Sequence, residues 1–302
     1  MYHRPVLLEE SLNGLNIQPG GTYVDFTFGG GGHSAGILDR LGGGRLVAFD
    51  QDPDTESNLM KDERLLFIRG NFRYARNFLR FHEITSIHGA LADLGVSSHH
   101  FDAPERGFSF RQDAPIDMRM NPESGLTAAG VLNSYDEQEL VQIFRKYGEV
   151  ENAGRLSAAV CAYRSRKKIS TTGEFLEAVS ECIPQRNRQK YLARVFQSLR
   201  IEVNAEMDAL KEMLTGIIPF LNRGGRMVII TYHSLEDRLV KNFFRSGNAE
   251  GLVEKDFYGH PITPLRPVNR NVIRAGEDEI RINPRARSAK LRIAEKTAKE
   301  LT

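Results

Sequence analysis

The run Thr22-Tyr23-Val24-Asp25-Phe26-Thr27-Phe28-Gly29-Gly30-Gly31-Gly32-His33-Ser34 decides the fold. An apolar stretch of strand length passes into four consecutive glycines, and Ser34 opens a segment of helical composition. Glycines after a strand let the backbone turn sharply and approach a ligand where a Cβ would clash. The helix that follows then aims its N-terminus, with its free N–H groups, at whatever occupies the turn. The same residues would also serve as a tight structural turn. Two nucleotide-binding signatures are absent: no Gly-Lys-Ser/Thr follows for a triphosphate loop, and the glycines do not fall into a clean G-x-G-x-x-G.

Working outward, Arg45-Leu46-Val47-Ala48-Phe49-Asp50 reads as a second strand, Leu65–Ile68 as a third and Ile87–Asp93 as a fourth, with helical intervals between them. Strand–helix alternation at this spacing predicts a parallel sheet with right-handed crossovers. From about Pro104 to Arg200 the alternation stops and helical periods take over. One is expected over Asp136–Tyr147 with Ser134 as its N-cap, and others over Arg155–Arg164, Thr172–Cys182 and Tyr191–Leu199. Alternation resumes with a periodic helix from Glu202 to Leu214, continued to Leu221 and stopped by Asn222–Gly225. A fifth strand (Arg226–Thr231), a helix (Leu235–Phe244, capped by Ser234 with Asp237 in the box position) and a last strand (Ala289–Ala294) complete the pattern. The expectation is an α/β, doubly wound, mostly parallel sheet built from residues 1–103 and 200–302, interrupted by a helical insertion over 104–199.

Polar residues recur where these strands end. Asp50 closes strand two eighteen residues after Gly32, where an acid can accept hydrogen bonds from ribose hydroxyls. Gly70-Asn71-Phe72 follows strand three, and Phe72 could lie against a purine. Asp93-Leu94-Gly95-Val96-Ser97-Ser98 follows strand four, at the carboxyl edge where open α/β sheets bind substrates. Each has a plainer use, as a cap, a core ring or a turn residue; four at successive strand ends favour a ligand site.

Two cysteines, Cys161 and Cys182, form neither a disulfide framework nor a metal-ligand spacing, so no metal is expected. No apolar run reaches a membrane span, and the start lacks a signal or transit pattern, so a cytoplasmic protein without membrane contact is expected. The net charge is only +2, but it is uneven. Residues 1–100 carry 9 Lys and Arg against 12 Asp and Glu; 160–200 carry 9 against 3, and 264–302 carry 10 against 5. Two basic regions around a mildly acidic body suit a phosphate-bearing partner, or are solvated faces.

Longer motifs then come together. Asp25-x-Thr27-x-Gly29-x-Gly31-Gly32-His33-Ser34, Asp50-x-Asp52-Pro53, Asp93–Ser98, Arg106-Gly107-Phe108-Ser109-Phe110, Asp117-Met118-Arg119-Met120, Tyr147-Gly148-Glu149, Phe196–Asn204, His233-Ser234-Leu235-Glu236-Asp237-Arg238 and Asn283–Ser288 resemble the bacterial 16S ribosomal RNA cytosine-N4 methyltransferases. The likeness runs from residue 3 to about 295 and is weakest over 248–265. It implies a Rossmann-like class I methyltransferase fold, S-adenosylmethionine as methyl donor, and a cytidine of the decoding centre in 16S rRNA of the small ribosomal subunit as target. A homodimer is left open. It further implies cofactor contacts from Gly31, Gly32, His33, Asp50, Phe72, Asp93 and His100.

Transfer to an exocyclic amine needs an in-line approach and an acceptor for an N–H proton. Asp93, Ser97, Ser98 and His233 are the catalytic candidates near that edge. Many amino-methyltransferases carry Asn/Asp-Pro-Pro-aromatic after strand four; Asp93-Leu94-Gly95-Val96 departs from it, which leaves the acceptor open. Arg106, Arg111 and Arg119, interleaved with aromatics, suit a base held outside a stack, or a linking turn with Phe108 and Phe110 buried. Rival functions are methylation of DNA or a small molecule, and an adaptor that binds without turnover.

Overall fold

The computed structural model describes residues 5–95 and 103–297. Seven strands form one sheet in the order β3-β2-β1-β4-β5-β9-β8. These are β1 Thr22–Asp25, β2 Arg45–Asp50, β3 Leu65–Arg69, β4 Ile87–Asp93, β5 Leu221–Thr231, β8 Leu265–Pro267 and β9 Lys290–Lys296; β6 Glu254–Lys255 and β7 Pro261–Ile262 make a separate pair. β1 to β5 are mutually parallel, whereas β9 runs antiparallel to both β5 and β8.

The central strands are apolar on both sides because helices cover both faces. On one face Tyr23, Leu46, Leu91, Val228 and Ile230 pack with Leu12 and Leu15 of α1 (Leu8–Leu15) and Ile37 and Leu38 of α2 (Gly32–Leu41). On the other, Val24, Val47, Phe49, Ala92, Met227 and Ile229 join Leu79 of α3 (Ala75–Phe81).

The chain divides into two compact units, Met1–Gly95 with Met207–Thr302, and Val96–Glu206. In the second lie α4 Ala128–Ser134, α5 Glu137–Lys146, α6 Ala153–Arg164, α7 Thr172–Ala178 and α8 Arg188–Asn204. In the first, α9 (Glu206–Ile217) and α10 (Ser234–Ser246) add Leu210, Leu214, Leu239 and Phe243 to the core containing Val24 and Phe49, and α11 spans Glu277–Ile282.

Several local expectations are corrected. Asp136, not Ser134, caps α5, and it forms a reciprocal box with Glu139; Ser134 ends α4, its hydroxyl bonded to the Gly130 carbonyl. The helix expected to open at Glu202 and continue to Leu221 spans Glu206–Ile217 instead, because α8 runs on through Asn204 and Ala205 turns the chain in the left-handed region at φ 47. Asn222–Gly225 lie inside β5, where Ile87 pairs with Leu221 but Gly89 with Arg226, so the glycines absorb a bulge rather than precede the strand. The cap of α10 is His233, with Glu236 in the box position.

Candidate active site

β1, β2 and β4 run parallel, so the turns after them share one edge. The turn after β1 needs its glycines: Gly29 and Gly31 sit at φ 52 and 76, and Gly31 is the N-cap of α2. Asp25, fully buried, accepts hydrogen bonds from Ser34 Oγ (2.7 Å) and the Thr27 N–H (3.0 Å), tying turn to helix; burial pushes its carboxyl up.

Asp50 braces the same turn. Its Oδ2 accepts the Gly29 N–H at 2.8 Å and its Oδ1 the Asp52 N–H at 2.9 Å. A carboxylate oxygen accepts more than one donor, so Asp50 can hold the loop and still receive ribose hydroxyls. Phe72, half-buried, meets the Phe26 ring edge-on at 6.4 Å, and the Asn71 amide donates to Gln51 Oε1 at 2.8 Å.

Asp93, at the end of β4, has the most elaborate surroundings. Its N–H donates to Thr27 Oγ1 (2.7 Å), and the Tyr232 hydroxyl donates to its Oδ1 (2.8 Å). Its Oδ2 lies 3.9 Å from His33 Nδ1, with 23% of the Asp93 side chain still exposed. Desolvation pushes its carboxyl up to about 6, against the opposing influence of His33 and the Tyr232 hydrogen bond. Burial likewise lowers His33 and raises Tyr232.

The donor set fits S-adenosylmethionine. The first-turn N–H groups of α2 have no partners within the helix and suit a carboxylate. A Cβ-poor cradle lies before them, an acid ends β2, and a half-buried ring follows β3. At Gly32 an added Cβ would come within 2.1 Å of the Pro5 ring, so Gly31 and Gly32 leave the backbone of this turn as its binding surface.

Not every expected residue joins this arrangement. Ser97, Ser98 and His100 lie outside the described residues. His233 caps its helix: Nδ1 accepts the Glu236 N–H at 3.4 Å, Nε2 stands 3.1 Å from Glu236 Oε1, and the N–H groups of Tyr232 and His233 both reach Glu236 Oε2. Asp237, expected in the box, instead binds Arg292 and Lys290. Within the insertion, Arg106 donates to the carbonyls of Arg119 and Met120, and Arg119 forks onto Asp117 and reaches the Ser124 carbonyl. Arg111 is exposed. Thr27 and Tyr232 are the residues the sequence reading passed over. The available signal was a hydroxyl two residues after Asp25 and another one residue after strand five.

A parallel sheet closed by an antiparallel strand, with a glycine turn after β1 and acids ending β2 and β4, defines a class I S-adenosylmethionine-dependent methyltransferase. Residues 1–297 match the MraW methylase family, and the chain belongs to it. It is 58% identical over 296 residues to ribosomal RNA small subunit methyltransferase H of Bacteroides fragilis (strain YCH46), covering 98% of this chain and 97% of that protein. The namesake from Flavobacterium johnsoniae is 52% identical over 296 residues, with 98% of each chain covered. Among solved structures, an rRNA methylase from Streptococcus thermophilus aligns with a TM-score of 0.43 at 13% identity, over 98% of this chain and 99% of that one.

Proposed function

We propose that this protein transfers a methyl group from S-adenosylmethionine to N4 of a cytidine in 16S rRNA of the small ribosomal subunit, in the cytoplasm. What carries the reading is Asp93: a carboxyl at the end of β4, beside the glycine turn, oriented by a hydroxyl and still partly open. The near-full-length likeness to relatives named for small-subunit rRNA methylation supplies the substrate.

When bound, S-adenosylmethionine supplies an electrophilic methyl group. The backbone of Gly31, Gly32 and His33 would hold its carboxylate end, Asp50 its ribose and Phe72 its adenine. Asp93, ionised above about pH 6, accepts an N–H hydrogen bond from the target amine. That bond draws electron density to nitrogen, orients its lone pair and gives the departing proton a destination. Ser97 and Ser98 remain candidates for the reaction and His100 for cofactor contact by sequence position and resemblance alone. The helical insertion over residues 104–199 serves substrate recognition, with exposed Arg111 meeting RNA while Arg106 and Arg119 hold the local fold. Helices long and apolar enough to cross a membrane are absent among the described residues.

The test is transfer of labelled methyl groups to small subunits from cells lacking the protein, followed by digestion of the rRNA and identification of the modified nucleoside. N4-methylcytidine is expected; label in another base, or none, would remove the assignment.

A further inference from the structure

His33 is buried, and its imidazole has two neighbours of unequal distance. Nε2 stands 3.1 Å from the Val6 carbonyl oxygen, and Nδ1 stands 3.9 Å from Asp93 Oδ2. A carbonyl can only accept, so the closer contact requires the proton on Nε2. The lone pair of Nδ1 is then left facing Asp93 Oδ2. When Asp93 is ionised these are two acceptors with no hydrogen between them. Oδ1, by contrast, already receives the Tyr232 hydroxyl at 2.8 Å. The array Tyr232–Asp93–His33 is therefore one proton short, at the side of the carboxyl turned away from its fixed donor.

We propose that Asp93 Oδ2 and His33 Nδ1 form a single seat for the proton that leaves the substrate amine, with Tyr232 fixing the carboxyl so that Oδ2 faces that seat. The inference rests on the methyl-transfer reading above and assigns His33 a positioning role exerted through Asp93. As the N–CH3 bond forms from the amine lone pair, the S–CH3 bond breaks and its electron pair stays on sulfur. The nitrogen is positive until one N–H proton passes to Asp93 Oδ2. The new O–H then donates to His33 Nδ1, the product leaves as a neutral secondary amine, and the proton returns to water through the exposed side of Asp93. The 3.9 Å separation closes to a hydrogen bond once the proton is present, which an ionised pair has no reason to do.

The surroundings suit a proton that must be taken and released. Burial lowers His33 while Asp93 is raised to about 6, so the two affinities move toward each other and neither partner traps the proton. Asp25 and Glu236 also face Asp93 and favour its protonated form, and Glu236 and Glu279 act in the same sense on Tyr232. The pair titrates as a unit.

Two measurements test this. In His33→Gln the amide can keep the donation to Val6 but offers no base to Asp93. The parent's kcat/KM is expected to rise with pH through the shared step near 6. In the variant the proton has no basic partner and the influence of His33 that opposes burial is gone, so the rising limb moves to higher pH, with kcat down roughly ten- to a hundredfold. A variant with the parent's rate and an unmoved limb overturns the seat. A lowered rate with an unmoved limb does so too, because that is what a purely structural histidine gives. On the parent protein, 15N-histidine NMR is expected to show Nδ1 unprotonated above pH 7 and titrating in one step with the Asp93 carboxyl carbon; a proton on Nδ1 at that pH overturns the proposal whether or not the variant folds. Failure of the functional reading looks different: small subunits would acquire no N4-methylcytidine while the shared titration persisted. Full activity in Asp93→Asn removes the acceptor and the seat together.

Discussion

Asp50 has two roles in one side chain, and its replacement should reveal both. Asp50→Ala removes the ribose acceptor and frees the Gly29 and Asp52 N–H groups from their partner. Calorimetry should show weaker S-adenosylmethionine binding by about 1.5–3 kcal/mol, the usual loss for a hydrogen bond to a charged group. An unchanged affinity in a folded variant would move the ribose elsewhere. Asp50 was legible in the sequence because an acid ending strand two after a glycine turn has a chemical reason to be there. Tyr232 was not legible: its meaning depends on β5 lying beside β4, which brings together residues 139 apart. His33 was legible as part of the turn, but the direction of its ring nitrogens was not.

Secondary structure was read correctly where periodicity carried it and missed where a single residue decided an end. Ser134 and Asp136 are both good caps, each with a glutamate three residues on (Glu137 and Glu139), and the fold closes the box at Asp136 and Glu139. Asp136→Ala should therefore cost about 1 kcal/mol by thermal denaturation of the full chain, while Ser134→Ala should cost clearly less. At Ala205 the sequence misleads outright, since alanine is the best helix former yet here breaks a helix at φ 47. An L-residue in that conformation costs about 1–2 kcal/mol. Ala205→Gly should raise stability by about 0.5–1 kcal/mol once the entropy of glycine in the unfolded chain is set against that relief. A lowered melting temperature would show that the alanine methyl contributes packing that outweighs the strain.

At the scale of the molecule, the basic regions were visible as composition, but which charges are available was not. Arg164 donates to the Leu132 carbonyl and Lys167 pairs with Glu174, whereas Arg166 and Lys168 are exposed. Replacing Arg166 and Lys168 together should weaken RNA binding and flatten its salt dependence, with each lost phosphate contact lowering the log–log slope by about 0.7–0.9. An unchanged slope would return the cluster to an ordinary solvated surface. Substrate size should matter as well. A lone cytidine offers few contacts to offset its ordering beside the methyl group, so free nucleoside should be methylated far more slowly than small subunits. Equal rates would deprive the insertion of its recognition role. The doubly wound sheet was legible from the alternation of patterns. The exact end of the last helix before α9 was not, because the break falls on Ala205, a residue whose composition favours helix.

The separation of β4 from β5 has a consequence for how the chain is made. A ribosome delivers the polypeptide from its N-terminus, so β1 to β4 emerge well before the strand that completes them. With β1 on one side, β4 keeps its other edge open until residues 221–231 arrive. At usual elongation rates that interval is on the order of ten seconds. Throughout it a largely apolar strand, Ile87–Asp93, presents unpaired backbone groups of the kind that template aggregation. The intervening residues, 96–206, form a compact unit of their own and can collapse during the wait. Nascent chains should therefore be most dependent on chaperones after Asp93 has left the exit tunnel and before Thr231 has.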